Sequence, residues 1–236
     1  MHQRLWYKQP ACSWTEGLPI GTGRLAAMVL GTCQTERIAL NHEWLWEGTH
    51  RFRDLEAVAE KLPEVRDLLL AGQYEEGTEL ANRTFGGGGG ISQRPGRVDS
   101  FQTAGDLFVQ FSHGPYHGYT RELGLSSGMA TVSYGAMRPD GARFRRELVG
   151  HLTEDLILAR FSCDGKPFSC VLWLDRIHDP ACTVHRQAAA RGLRLHGDIR
   201  DGISFEIWAD VFAGEARLEI LDGAKLAVTD ATEVLV

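Results

Sequence analysis

Asn41, Glu43, Trp44 and Trp46 fall within six consecutive residues, with His42 among them. Two indoles beside a carboxylate and an amide are an unusual composition for plain core. Indoles offer a platform for the apolar C–H face of a sugar ring, and Asn41 and Glu43 supply hydrogen-bonding groups for its hydroxyls. If the segment is extended, Trp44 and Trp46 share a face, because side chains repeat every two residues. The competing reading buries the indoles against another domain and makes them an interdomain contact; left alone, such a surface is an exposed apolar patch. Gln102, in F-Q-T-A-G-D-L, is a further candidate. It either reaches toward a ligand or satisfies backbone groups where a strand begins.

Other chemistries fare less well. Cleaving a glycosidic bond takes two flanking carboxyl groups, one with a raised pKa. Glu16, Glu43 and Glu47 lie near aromatics, but turn capping or pairing with Arg24, Arg37 or Arg51 accounts for them, so no catalytic residue is assigned. His113 and His117 have the i, i+4 spacing of helical zinc sites, yet Gly114-Pro115 between them opposes a helix, and no metal is expected. Cys12 has no histidine that can be assigned to activate it. The five glycines Gly86–Gly90 lack the preceding strand and following Lys-Ser/Thr of a phosphate loop, and read as a mobile surface loop through about Ser100. His50, Arg51 and Arg53 read as a solvated or interdomain loop. No cofactor is indicated.

The elements that must hold these residues are mostly strands. Alternation and turn signals predict strands over Arg24–Gly31, Glu36–Leu40, Asp106–Phe111, Arg121–Leu125, Ala130–Tyr134 and Ala142–Val149. They continue over Leu156–Cys163, Phe168–Asp175, Leu193–Asp198, Ile203–Phe212, Arg217–Leu221 and Lys225–Val228. Pro139-Asp140-Gly141, Asp201-Gly202 and Asp222-Gly223 supply residues that tolerate positive φ, as tight hairpins require. The expected fold is all-β, a large antiparallel two-sheet sandwich (a super-sandwich). A helical excursion interrupts it near residues 55–85: Pro63 suits a first turn, Val65, Leu68 and Leu69 form a stripe, and Gly72 ends it. A second helix is expected from Gln73 through Leu80 to about Asn82.

Composition narrows the class. The chain has 236 residues, 43% hydrophobic and 24% charged, which is ordinary for a globular protein. A net charge of −6 argues against a nucleic-acid partner. No apolar run is long enough to span a membrane as a helix. Five cysteines without a C-x-x-C pair read as free, mostly buried thiols in a reducing compartment. Met1 is followed almost at once by Leu5-Trp6-Tyr7, with no n-region or h-region of a secretory signal, so a cytoplasmic location is expected if Met1 is the native start. Ala231–Val236 reads as the opening of a further strand, as in a truncated domain.

W-T-E-G-L-P-I-G-T-G-R-L-A-A-M-V-L-G (Trp14–Gly31), E-R-I-A-L-N-H-E-W-L-W-E-G (Glu36–Gly48), L-P-E-V-R-D-L-L-L-A-G-Q-Y-E-E-G (Leu62–Gly77) and F-Q-T-A-G-D-L (Phe101–Leu107) carry a family resemblance. Y-T-R-E-L-G-L (Tyr119–Leu125), A-T-V-S-Y (Ala130–Tyr134) and F-R-R-E-L (Phe144–Leu148) extend it. In this order they resemble the N-terminal domain of glycoside hydrolase family 95, best known for inverting α-L-fucosidases. Gly21-Thr22-Gly23 stands where that family often has G-N-G, and Leu40–Gly48 departs from L-N-E-D-T-L-W-S-G, which marks a divergent branch. The resemblance implies that residues 1–236 are one N-terminal β-sandwich domain of a larger glycosidase, cut before a helical linker and an (α/α)6 barrel. That barrel, on the same polypeptide, would carry the family's Glu acid and its Asn and Asp base. The domain would then be inactive alone, with the barrel and an oligosaccharide substrate as its partners. Asn41, Glu43, Trp44, Trp46 and Gln102 would line the substrate rim or the interdomain contact. The alternatives are a lectin-like sandwich that binds sugars by itself and a domain that mediates a homodimer.

Overall fold

The computed structural model describes residues 3–48, 58–85 and 99–236. The chain divides into two compact units: Met1–Leu45 with Thr103–Asp198 and Ser204–Val236, and Trp46–Gln102 with Ile199–Ile203. The glycine run and His50, Arg51 and Arg53 lie outside the described residues.

The larger unit is built from antiparallel sheets. One orders β1 (Arg4–Tyr7), β6 (Tyr116–Gly124), β7 (Met129–Ala136), β8 (Arg143–His151), β9 (Leu156–Cys163) and β16 (Glu233–Leu235). A second orders β14 (Arg217–Leu221), β15 (Lys225–Ala231), β10 (Phe168–Asp175), β5 (Gly105–Phe111), β4 (Thr35–His42), β3 (Leu25–Val29) and β2 (Leu18–Gly21). The expected sandwich is there, with β2 and β3 lying against β7, β8 and β9. Two sheets were expected, and there is a third, β11 (Cys182–Ala189), β12 (Gly192–Ile199) and β13 (Ser204–Asp210). Its outer face is wet: β13 alternates exposed and half-buried residues, while Leu193 and Leu195 of β12 join the common core.

Period-two alternation builds that core. Phe168, Cys170, Leu172 and Leu174 of β10 are buried, as are Ala130, Val132 and Tyr134 of β7 and Phe144 and Leu148 of β8. Each fully buried Val, Leu or Phe contributes about 1.5–3 kcal/mol. Aromatic geometry adds specificity: the Tyr134 and Phe144 rings stack at 5.4 Å, and Phe111 meets Phe144 edge-on at 5.8 Å. The hairpin turns have the predicted backbone, with φ of +61° at Gly141, +54° at Asp201, +52° at Asp222 and +68° at Gly223.

In the smaller unit, α1 (Leu62–Leu70) and α2 (Tyr74–Phe85) form the helical pair. Pro63 sits in the first turn of α1. The helix ends in a Schellman motif: Gly72 at φ +77° donates to the Leu69 carbonyl at 3.1 Å, and the Gln73 N–H to that of Leu68 at 2.9 Å. Of the predicted stripe Val65 alone is buried; Leu68 is half-buried and Leu69 exposed.

Candidate functional site

β3 and β4 pair with Leu25 opposite His42 and Ala26 opposite Asn41, so the polar-aromatic segment begins at a strand end. The chain then turns. The Glu43 N–H donates to the Arg24 carbonyl at 3.0 Å and the Leu45 N–H to that of His42 at 3.2 Å. The segment is therefore not extended past His42, and the two-residue repeat that would align Trp44 with Trp46 does not apply. Trp44 is two-thirds exposed. Its ring meets His42 edge-on at 5.9 Å, and the Arg24 guanidinium lies 5.4 Å from the indole centre. The Trp44 backbone N–H donates to Nδ1 of His42 at 3.2 Å, which fixes the indole's stem. Arg24 also reaches Glu43 at 3.5 Å, both ends exposed. Asn41 Oδ1 is buried with no hydrogen-bond partner among the described residues, an acceptor without a donor.

The smaller unit holds the other two candidates. Trp46 bridges Phe101 as an antiparallel pair, with ring centres 5.1 Å apart and both residues about half exposed. Nε2 of Gln102 donates to Glu47 at 3.5 Å, and the Glu47 N–H to the Ser100 carbonyl at 2.9 Å. Gly48 has a φ of +104°, a backbone conformation that favours glycine.

The carboxylates considered as acids have structural partners. Glu16 accepts the Cys12 N–H at 2.7 Å within a turn, and Glu43 pairs with Arg24. Burial pushes the Glu36 and Asp106 carboxyls up, against the pull of Arg146 on the first and Arg37 on the second. Neither is open to substrate: Glu36 is fully buried and Asp106 nearly so, 3.0 Å from Arg37. His113 is a core residue, with Nε2 at 2.8 Å from the Tyr134 hydroxyl and its pKa lowered by burial. Cys33, Cys163 and Cys170 are buried, while Cys12 is exposed.

Two clusters escaped the reading of the sequence. Arg146 and Glu36, both fully buried, pair at 2.6 Å. Arg146 also donates to the Thr32 and Cys33 carbonyls at 2.6 Å each and to the Tyr134 hydroxyl at 2.7 Å. Glu36 accepts the N–H groups of Gly31 and Arg37 at 2.8 and 3.1 Å, so the pair ties down the β3–β4 turn. The signal was available: Phe144, Arg146 and Leu148 alternate, which places a guanidinium on the inward face of β8. The second cluster, around Trp208, lies on the outer face of β12 and β13.

The described residues thus form an antiparallel β sandwich that presents exposed indoles on its surface. Residues 5–236 match the family described as glycosyl hydrolase family 65, N-terminal domain, and the chain belongs to that family. It is 32% identical over 161 residues to alpha-L-fucosidase 2 of Arabidopsis thaliana, covering 66% of this chain and 18% of the relative. It is 30% identical over 141 residues to the probable alpha-fucosidase A of Aspergillus oryzae, covering 55% and 18%. The chain thus spans less than a fifth of the length of these relatives. The resemblance to family 95 N-terminal domains is consistent with both.

Proposed function

We propose that this chain is the N-terminal scaffold domain of a glycoside hydrolase of the family 95, α-L-fucosidase-like kind, whose acid and base lie on another part of the polypeptide. The observation that carries the reading is the family match over residues 5–236, joined to fucosidase relatives of which this chain covers only 18%. In this role the sandwich supports an (α/α)6 barrel. Asn41, Glu43 and Trp44 on one unit, and Trp46 and Gln102 on the other, lend contacts to the substrate rim or the domain seam. The open Trp44 ring suits a pyranose C–H face.

The test separates rim from chemistry. In the longer polypeptide, Trp44→Ala should raise KM for an aryl α-L-fucoside roughly tenfold with kcat nearly unchanged, the pattern of lost uniform binding. An equal fall in kcat and kcat/KM, with KM unmoved, would place Trp44 in the chemical step and contradict the proposed role.

A further inference from the structure

We propose that the outer face of β12 and β13 is a second saccharide-binding platform, centred on Trp208, that takes a neutral pyranose ring. Arg194 lies opposite Trp208, His196 opposite Glu206 and Asp198 opposite Ser204, so these six side chains alternate onto one sheet face. Trp208 is 67% exposed. Its indole is nonetheless held: Nε1–H donates to Glu206 at 2.8 Å, and the Arg194 guanidinium covers one ring face at 4.6 Å. Arg194 is also ion-paired with Glu206. Even with Arg194 over the ring the residue keeps its 67% exposure, and a ring fixed in advance loses little entropy when a sugar stacks on it.

The surroundings choose the ligand class. His196 lies 3.0 Å from Glu206 through Nδ1 and 3.0 Å from Asp198 through Nε2, and Ser204 donates to Asp198 at 2.5 Å. Two nitrogens each facing a carboxylate call for the imidazolium form, and the His196 pKa is raised by Glu206 first and Asp198 next. Arg194 and His196 are thus already paired with Glu206 and Asp198, with the His185 ring 6.4 Å from that of His196, and these pairings disfavour a phosphate or other anion as ligand. Protein interfaces are depleted of charge at their core, so one indole ringed by ion pairs makes a poor protein docking patch. Carboxylate and guanidinium keep spare lone pairs and N–H groups for hydroxyls beside the indole. The choice of a sugar also rests on the proposed glycoside hydrolase reading. The platform does not involve Trp44 or a barrel, so its failure would leave the scaffold reading standing.

The test is an NMR titration of the 236-residue chain with methyl α-L-fucopyranoside, methyl β-D-galactopyranoside and inorganic phosphate. Saturable shifts of the His196 and Ile207 amides and the Trp208 indole N–H are expected with at least one glycoside and not with phosphate. Trp208→Ala should abolish the amide shifts. Trp208→Phe, which keeps a ring but loses the donor, should weaken binding roughly tenfold. Absence of a saturable shift with either glycoside, or an equal response to phosphate, would overturn the proposal. So would signals that move with protein concentration alone and stop moving in Trp208→Ala, because the face would then be a protein interface.

Discussion

The Glu36–Arg146 and Arg194–Glu206 pairs each join a guanidinium to a carboxylate and an aromatic ring. Arg146 lies 4.4 Å from the Phe111 ring centre, and Arg194 lies 4.6 Å from that of Trp208. The first pair is closed to water on every side, whereas Arg194 and Glu206 are 41% and 27% exposed. Removing two ions from water costs several kcal/mol each, so the inner pair is tolerable only because almost every group around it is bonded. The outer pair meets no such demand and is free to be re-paired by a ligand. Position on the pleat, more than residue type, separates a clamp from a surface that binds.

The largest expected contrast comes from breaking each pair at its arginine. Arg146→Met leaves Glu36 charged or protonated in an apolar core and strips donors from Thr32, Cys33 and Tyr134. It should cost about 3–5 kcal/mol in urea unfolding or prevent folding altogether. The double change Glu36→Leu with Arg146→Met should recover much of that loss. Arg194→Gln should shift the urea midpoint only slightly, because exposed ion pairs contribute little. A small effect at Arg146, or a large one at Arg194, would break the distinction.

A smaller effect sharpens it through pH. A raised His196 pKa means its paired state is complete below the ordinary histidine value, about 6.5, and is lost as pH rises through the raised value. Glu206 is held down to about 2, first by the Arg194 hydrogen bond, so its contribution is present above the ordinary value of about 4.3 and lost as pH falls toward 2. The outer cluster is therefore fully paired between about pH 4.3 and 6.5. Following the His196 ring protons by NMR should give a midpoint above that of a free histidine, and Glu206→Gln should lower it. A midpoint unaffected by Glu206→Gln would separate His196 from the cluster.

Much of this was legible in the sequence. Leu156–Cys163, Phe168–Asp175 and Arg217–Leu221 were bounded to the residue, because each shows clean alternation or ends at a turn signal. The strands that went unread, β1, β2 and β11, all lie at sheet edges. An edge strand has one pairing partner and little core contact: β1 is exposed at every residue, and β2 carries Pro19, which edges accept. The third sheet was hidden because Arg186 interrupts the weak inward stripe of Cys182, Val184 and Ala188 in β11. Asn41, Glu43 and Trp44 stood out by composition, but their arrangement depends on the turn at Glu43–Trp44, which no spacing rule announced. Arg146 and Trp208 were missed because charge and aromaticity were weighed by local density and not by strand face.

Turnover of an aryl α-L-fucoside by the 236-residue chain, assayed beside the longer polypeptide at matched concentration, tests the scaffold claim most directly. The account predicts release of the aryl group by the longer polypeptide and none above the uncatalysed rate by this chain. Saturable hydrolysis by the chain alone would contradict it.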